Sequence, residues 1–149
     1  MKKVLKSVSI CFIIAAMLTS GAFAAVPSEP DKPQASEYIF KTTTAMVALH
    51  GSKIELDFSI TATRPMKDVG ALQVNIYEVG VTDPVWSHHY TDSGYGYLMG
   101  HNTGKHTESV TYKGISGHQY YASVRFFAGE RGVAGDVQVM GSAVVTAID

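Results

Sequence analysis

Beyond its N-terminal apolar run, this chain of 149 residues lacks cysteine, helical periodicity, clustered positive charge and any further long apolar run. Its one cysteine, Cys11, lies inside the N-terminal apolar run, so the chain beyond that run has no thiol. That excludes disulfides, a cysteine nucleophile and a thiolate-held metal. Cys11 also stands too far from the triplet Ala22-Phe23-Ala24, and lacks small residues just before it, to be a lipoprotein acylation site. Without a basic cluster, nucleic acid and anionic lipid have no electrostatic hold, and neither is expected as a partner. The C-terminal SAVVTAID has neither an apolar tail nor an LPxTG-like sorting signal, so no covalent surface attachment is expected.

What is present begins with MKKVLKSVSICFIIAAMLTSGAFA. Lys2, Lys3 and Lys6 form a basic start, residues 10–18 an apolar core, and Ala22-Phe23-Ala24 a small-x-small cleavage site, which predicts a secretory signal peptide over 1–24. The apolar core is shorter than the roughly 20 residues a membrane helix needs, so the mature form is expected to have no membrane anchor. It should begin near Ala25 and be secreted to the extracellular space. Loss of three lysines leaves nine basic residues against thirteen acidic ones, a mildly acidic mature chain. Residues 25–36, AVPSEPDKPQAS, hold three prolines and no apolar period, and are expected to form a flexible leader. Residues 37–149 are then long enough for a single domain that buries roughly two-thirds of its unfolded surface.

Period-2 alternation dominates that domain. Ile54, Leu56, Phe58, Ile60 and Ala62 alternate with Glu55, Asp57, Ser59, Thr61 and Thr63, as a strand with one buried face requires. Leu72, Val74 and Ile76 alternate with Gln73, Asn75 and Tyr77. Tyr120, Ala122, Val124, Phe126 and Ala128 alternate with Tyr121, Ser123, Arg125 and Phe127. Weaker strands are expected at 38–49, with a bulge or kink across Thr42-Thr43-Thr44, and at 84–90, 107–113 and 137–148. Turn formers separate them: His50-Gly51-Ser52 as a tight hairpin, 64–68 as a longer connection, and the glycine-bounded 114–117 and 129–135. Seven short strands and no sustained helical period predict an all-β, antiparallel sandwich.

The run TYKGISGHQYYASVRFFA, residues 111–128, resembles the E–F corner of fibronectin type III and related immunoglobulin-like domains, where a glycine precedes by three residues a tyrosine that opens strand F. Gly117 and Tyr120 have that spacing. The resemblance implies a tyrosine corner, in which the Tyr120 hydroxyl bonds back to upstream backbone while its ring packs in the core. It further implies strand B at 54–62, strand C at 72–77 and strand G at 137–148. Gly114 stands where the family has an apolar residue, and Ala62 about where it has a tryptophan. In Gly129-Glu130-Arg131-Gly132-Val133, Val133 replaces the carboxylate of an integrin-binding Arg-Gly-Asp, so that function is excluded. In overall organisation the chain also resembles small secreted proteins of Gram-positive bacteria.

Chemistry-bearing residues gather in HHYTDSGYGYLMGHNTGKH, residues 88–106. His88, His89, His101 and His106, with Asp92 or Glu108, suit zinc by type, but His88 and His89 point to opposite faces of a strand, and His101 and His106 flank the turn expected at 102–105. No metal or other cofactor is expected. No GxSxG or similar nucleophile context occurs, and Glu55 and Asp57 share a solvated strand face rather than confronting each other, so no catalytic residue is assigned and no enzyme is expected. Aromatic residues suggest recognition instead. Trp86, His88 and Tyr90 should share one strand face, while Tyr95 and Tyr97 sit among glycines that allow close approach of a ligand. Against this, Pro84-Val85-Trp86 could simply cap the interior. We read 88–106 first as a long mobile connection between strands C′ and E, and second as the edge of a recognition surface.

The expected function is that of an extracellular binding module for a protein or a cell-surface glycan, through Trp86, His88, Tyr90, Tyr95 and Tyr97. The alternative is a structural protein that self-assembles through sheet edges, with residues 141–146 as the exposed edge.

Overall fold

Alternation places the core. In the computed structural model, which describes residues 36–149, Ile54, Leu56, Phe58, Ile60, Val74, Ile76, Tyr120, Ala122, Val124, Phe126 and Ala128 are all buried in one apolar cluster. The expected signal peptide over 1–24 and all of the expected leader but Ser36 lie outside the described residues. Among the described residues no helix is long and apolar enough to cross a membrane.

The chain is all-β and antiparallel, with seven strands: β1 (Ile39–Leu49), β2 (Lys53–Glu78), β3 (Trp86–His89), β4 (Met99–Lys113), β5 (Gln119–Glu130), β6 (Ala134–Gly141) and β7 (Val145–Thr146). They form one hydrogen-bonded sheet, curled into a half-barrel. β1 pairs with the first half of β2, which also pairs with the second half of β4. The second half of β2 pairs with β3 on one side and β5 on the other, and β6 and β7 both pair with β5. Phe58 and Phe126 meet edge to face across the interior, ring centroids 6.1 Å apart.

The expected connection at 64–68 is instead strand. β2 runs for 26 residues without a break, and the register jumps from Thr61↔Lys105 to Met66↔Thr103. The residues between are a large bulge, and Pro65, which has no N–H to give a ladder, sits within it. Buried Met66, Val69 and Ala71 keep the strand on the core after the bend.

Three further expectations are corrected. The β1 irregularity lies at Phe40, between Ile39 and Lys41, not at Thr42-Thr43-Thr44, because Thr42 turns inward and its hydroxyl reaches the Met140 sulfur. Leu72 is bulged between Ala71 and Gln73 and leaves the buried row. The last strand is broken: Ser142 gives its N–H to the Ala122 carbonyl and accepts the Ala122 N–H on its hydroxyl, and this exchange interrupts the ladder between β6 and β7. The stretch 141–146 is thus not one exposed edge.

The long mobile connection expected at 88–106 is also corrected. His88 and His89 end β3, a 3-10 turn occupies Gly96–Leu98, and His101 and His106 lie within β4. The cause is apolar anchoring, since Leu98 is fully buried and Met99 nearly so. Gly70 makes room for them: a Cβ there would stand 2.3 Å from the Leu98 carbonyl oxygen.

At the opposite end of β4, Tyr120 is fully buried and its hydroxyl accepts the Ile115 N–H at 3.0 Å. Gly114 lies flat against that ring, where a Cβ would come 2.8 Å from Tyr120 Cε2. Gly117 takes φ +82°, a left-handed conformation that glycine adopts without strain, and its N–H bonds the Ala147 carbonyl.

Candidate functional site

β3 is an edge strand, and its register decides where the aromatic residues go. Trp86 stands opposite Ile76 and His88 opposite Val74, both buried, so Trp86 and His88 face the core side of the sheet while Ser87 and His89 face away. Their side chains cover the flank of the core and remain half-buried. The 90–98 connection folds back over them. Tyr95 stacks on His88 with centroids 3.7 Å apart and planes 10° apart, and the Trp86 ring meets His88 at 4.6 Å and Tyr95 at 5.8 Å. Tyr97 extends the group, 6.0 Å from Tyr95, and is the most exposed member at 42%.

Polar contacts fix this ladder in place. Asp92 accepts the His89 backbone N–H at 2.9 Å and bonds His88 Nδ1 at 3.3 Å. The backbone bond, aided by His88, holds the Asp92 carboxyl below the usual carboxylate range. His106 donates from Nε2 to the Tyr97 carbonyl at 2.9 Å, so β4 braces the loop from behind. Burial, with Tyr95 and Glu108 nearby, pushes the Tyr97 phenol up. The result is a preorganised row of rings, Trp86, His88, Tyr95 and Tyr97.

Tyr90 does not join it. β3 ends at His89, Tyr90 gives its N–H to the Leu72 carbonyl, and its ring meets His89 and the Arg131 guanidinium, 4.6 Å above it. Arg131 in turn bonds Asp68, whose carboxylate is buried and also accepts Nδ1–H of His101 at 2.8 Å. Burial alone would push Asp68 up, but the bonds from Arg131 and His101 hold it below the usual range. This cluster was not foreseen from the sequence, since a buried aspartate in a bulge has no periodic signature.

No family model, curated protein or solved structure matches this chain.

Two clefts lie away from the ladder, at the bend of β2. One, of about 440 Å³, is lined by Tyr38, Met66 and Val133 among others; the second, of about 620 Å³, opens above Asp68, His101 and Arg131. Their charged groups are mostly paired with each other: Lys67 bonds Glu130, and Arg131 bonds Asp68. Among the described residues no group of three or more His, Cys, Asp or Glu side chains converges as a metal would require. His88 and His89 diverge, and His101 and His106 bond to Asp68 and to the Tyr97 carbonyl respectively.

Proposed function

We propose that the protein is a secreted, extracellular binding module that works by recognition and not by catalysis, with the Trp86, His88, Tyr95 and Tyr97 ladder as its contact surface. The observation that carries this reading is the ladder's packing: stacked rings on an edge strand, hydrogen-bonded by Asp92 and His106, offer apolar area held in place within the fold. Of the two ligand classes left open by the sequence, protein or cell-surface glycan, the ladder favours glycan, because ring faces beside imidazole and phenol groups match the apolar faces and hydroxyls of sugars.

A non-enzymatic role is supported by where the histidines spend their nitrogens. His88, His101 and His118 bond Asp92, Asp68 and Glu78. Among the described residues the one hydroxyl bonded to an imidazole is Thr91, on His89 Nδ1, and no carboxylate side chain bonds that ring. A nucleophile and base without a third, orienting group make a poor catalytic set.

We further propose an immunoglobulin-like or fibronectin-type order for the strands. It is supported by the pairings β1–β2–β4 before the bend and β3–β2–β5–β6 after it, and by the Tyr120 hydroxyl on the Ile115 N–H.

The test is titration with soluble cell-wall and mucin-type glycans, following Trp86 fluorescence. A saturable change that Tyr97→Ser abolishes without altering Tm supports the reading. No change with any glycan, or an unaltered response in the variant, removes the ladder from consideration. A second reading, self-assembly through sheet edges, draws on exposed Val137, Val139 and Val144. Light scattering from the unmodified protein decides it, since a monomer at high concentration would end it.

A further inference from the structure

The face of the sheet turned away from the core carries a second set of side chains. Register aligns them in rows across four strands: His89, Gln73, Arg125 and Val139 in one, Ser87, Asn75, Ser123 and Gly141 in the next, with the pair Tyr77 and Tyr121 at one end. Three gaps of about 4.8 Å make each row about 14 Å long, the scale of a short oligosaccharide.

Apart from Val139 and Gly141 on β6, the rows are polar and ordered. Gln73 Nε2 donates to Asn75 Oδ1 and to the Ser87 hydroxyl, each at 3.2 Å, and Ser87 donates to Asn75 Oδ1 at 2.6 Å. This network fixes both amides yet leaves Gln73 Oε1 and Asn75 Nδ2 without a protein partner among the described residues. The Tyr77 and Tyr121 rings stack with centroids 5.0 Å and planes 11° apart, and form the next row along the strands, beside Asn75 and Ser123. Arg125 is exposed and forms no ion pair among the described residues. None of the outward positions of these rows carries a carboxylate, although acidic residues outnumber basic ones in the whole chain.

A lone guanidinium among amides and hydroxyls has a specific complement. Its planar fork takes a carboxylate at two points, while the amides supply one donor and one acceptor for neighbouring hydroxyls. We propose that this face binds an acidic polysaccharide, with Arg125 on the carboxylate of a uronic acid unit, Gln73 and Asn75 on its hydroxyls, and Tyr77 and Tyr121 bounding the site. The face is separate from the ring ladder, which lies on the core side of β3, so either can fail without the other.

The experiment is calorimetric titration of the protein with trigalacturonate, with galactotriose as the uncharged counterpart and hexaglutamate as a carboxylate that is not a sugar. Trigalacturonate is expected to bind at least about tenfold more tightly than either, and to weaken as salt is raised. Arg125→Gln should weaken it by at least about tenfold, Arg125→Lys by less, and Tyr97→Ser not at all. Arg125 is exposed, so both variants should keep the parent Tm, which thermal unfolding checks; a fall in Tm would mean that Arg125 serves the fold, contrary to the proposal. Equal binding of the neutral trisaccharide, equal binding of hexaglutamate, an unaltered Arg125→Gln variant, or no binding of trigalacturonate at millimolar concentration would each overturn it.

Discussion

Asp68 accepts two bonds from the Arg131 guanidinium, Nε at 2.9 Å and Nη2 at 3.2 Å, and this fork ties the turn after β5 to the bulged bend of β2. Lysine has charge but no fork. Arg131→Lys should therefore lower stability by about 1 kcal/mol, and Asp68→Asn by about 1–3 kcal/mol, because His101 and Arg131 then lose a charged acceptor. Urea unfolding checks both, with a lower midpoint and an unchanged m-value as the expected result.

Tyr120→Phe should cost about 1–2 kcal/mol, since the Ile115 N–H loses its acceptor while the ring keeps its place. Gly114→Ala should cost at least as much for a different reason. Its methyl would press on Tyr120 Cε2, and the buried ring cannot yield without disturbing its neighbours. Thermal unfolding of the two single variants and the double variant would show whether they act on one site, because effects at contacting residues do not add.

Stability should fall on acidification within a defined window. Asp136, bonded by the Ser36 hydroxyl and by backbone N–H groups at the start of β1, and Asp68 are both held below the usual carboxylate range. A depressed folded value means that the contribution is complete above the unfolded value near 3.9, and is lost as pH drops through the lower folded one. The urea midpoint should thus stay level from neutral pH to about 5 with respect to these two groups, then decline below about 4. Asp136→Asn should reduce that decline.

The ladder's members should part company on mutation. Tyr95 packs on the core and on His88, so Tyr95→Ser should lower Tm as well as ligand binding, whereas Tyr97→Ser should affect binding alone. Only Tyr97 therefore gives a clean test, measured by Trp86 fluorescence alongside a melting curve.

Much of the core was legible because burial on one face writes a period of two: Ile54, Leu56, Phe58 and Ile60, and Tyr120, Ala122, Val124 and Phe126, lie where alternation placed them. What alternation could not show was where extra residues enter. Phe40, Leu72 and residues 62–65 are bulges, and a bulge shifts register without any marker in composition. The glycines and histidines of 88–106 suggested a loop, yet Leu98 and Met99 anchor it, and two adjacent apolar residues are a faint signal. Of the ring ladder, Trp86, His88, Tyr95 and Tyr97 come together, whereas Tyr90 leaves because its strand stops one residue short. The outward rows had a signal that went unused: the polar alternates Gln73, Asn75 and Tyr77 are matched by Arg125, Ser123 and Tyr121 opposite them, as a shared face would require.

β2 contributes its first half to one side of the half-barrel and its second half to the other, with no interruption in between. β4 crosses the bend as well, pairing with Lys53–Thr61 and again with Met66–Gly70, so the two sides are expected to open together. Deuterium uptake should accordingly occur through one opening event, with the amides of 54–61 and 73–77 sharing a common opening free energy, and a truncation at the bend should leave neither half folded.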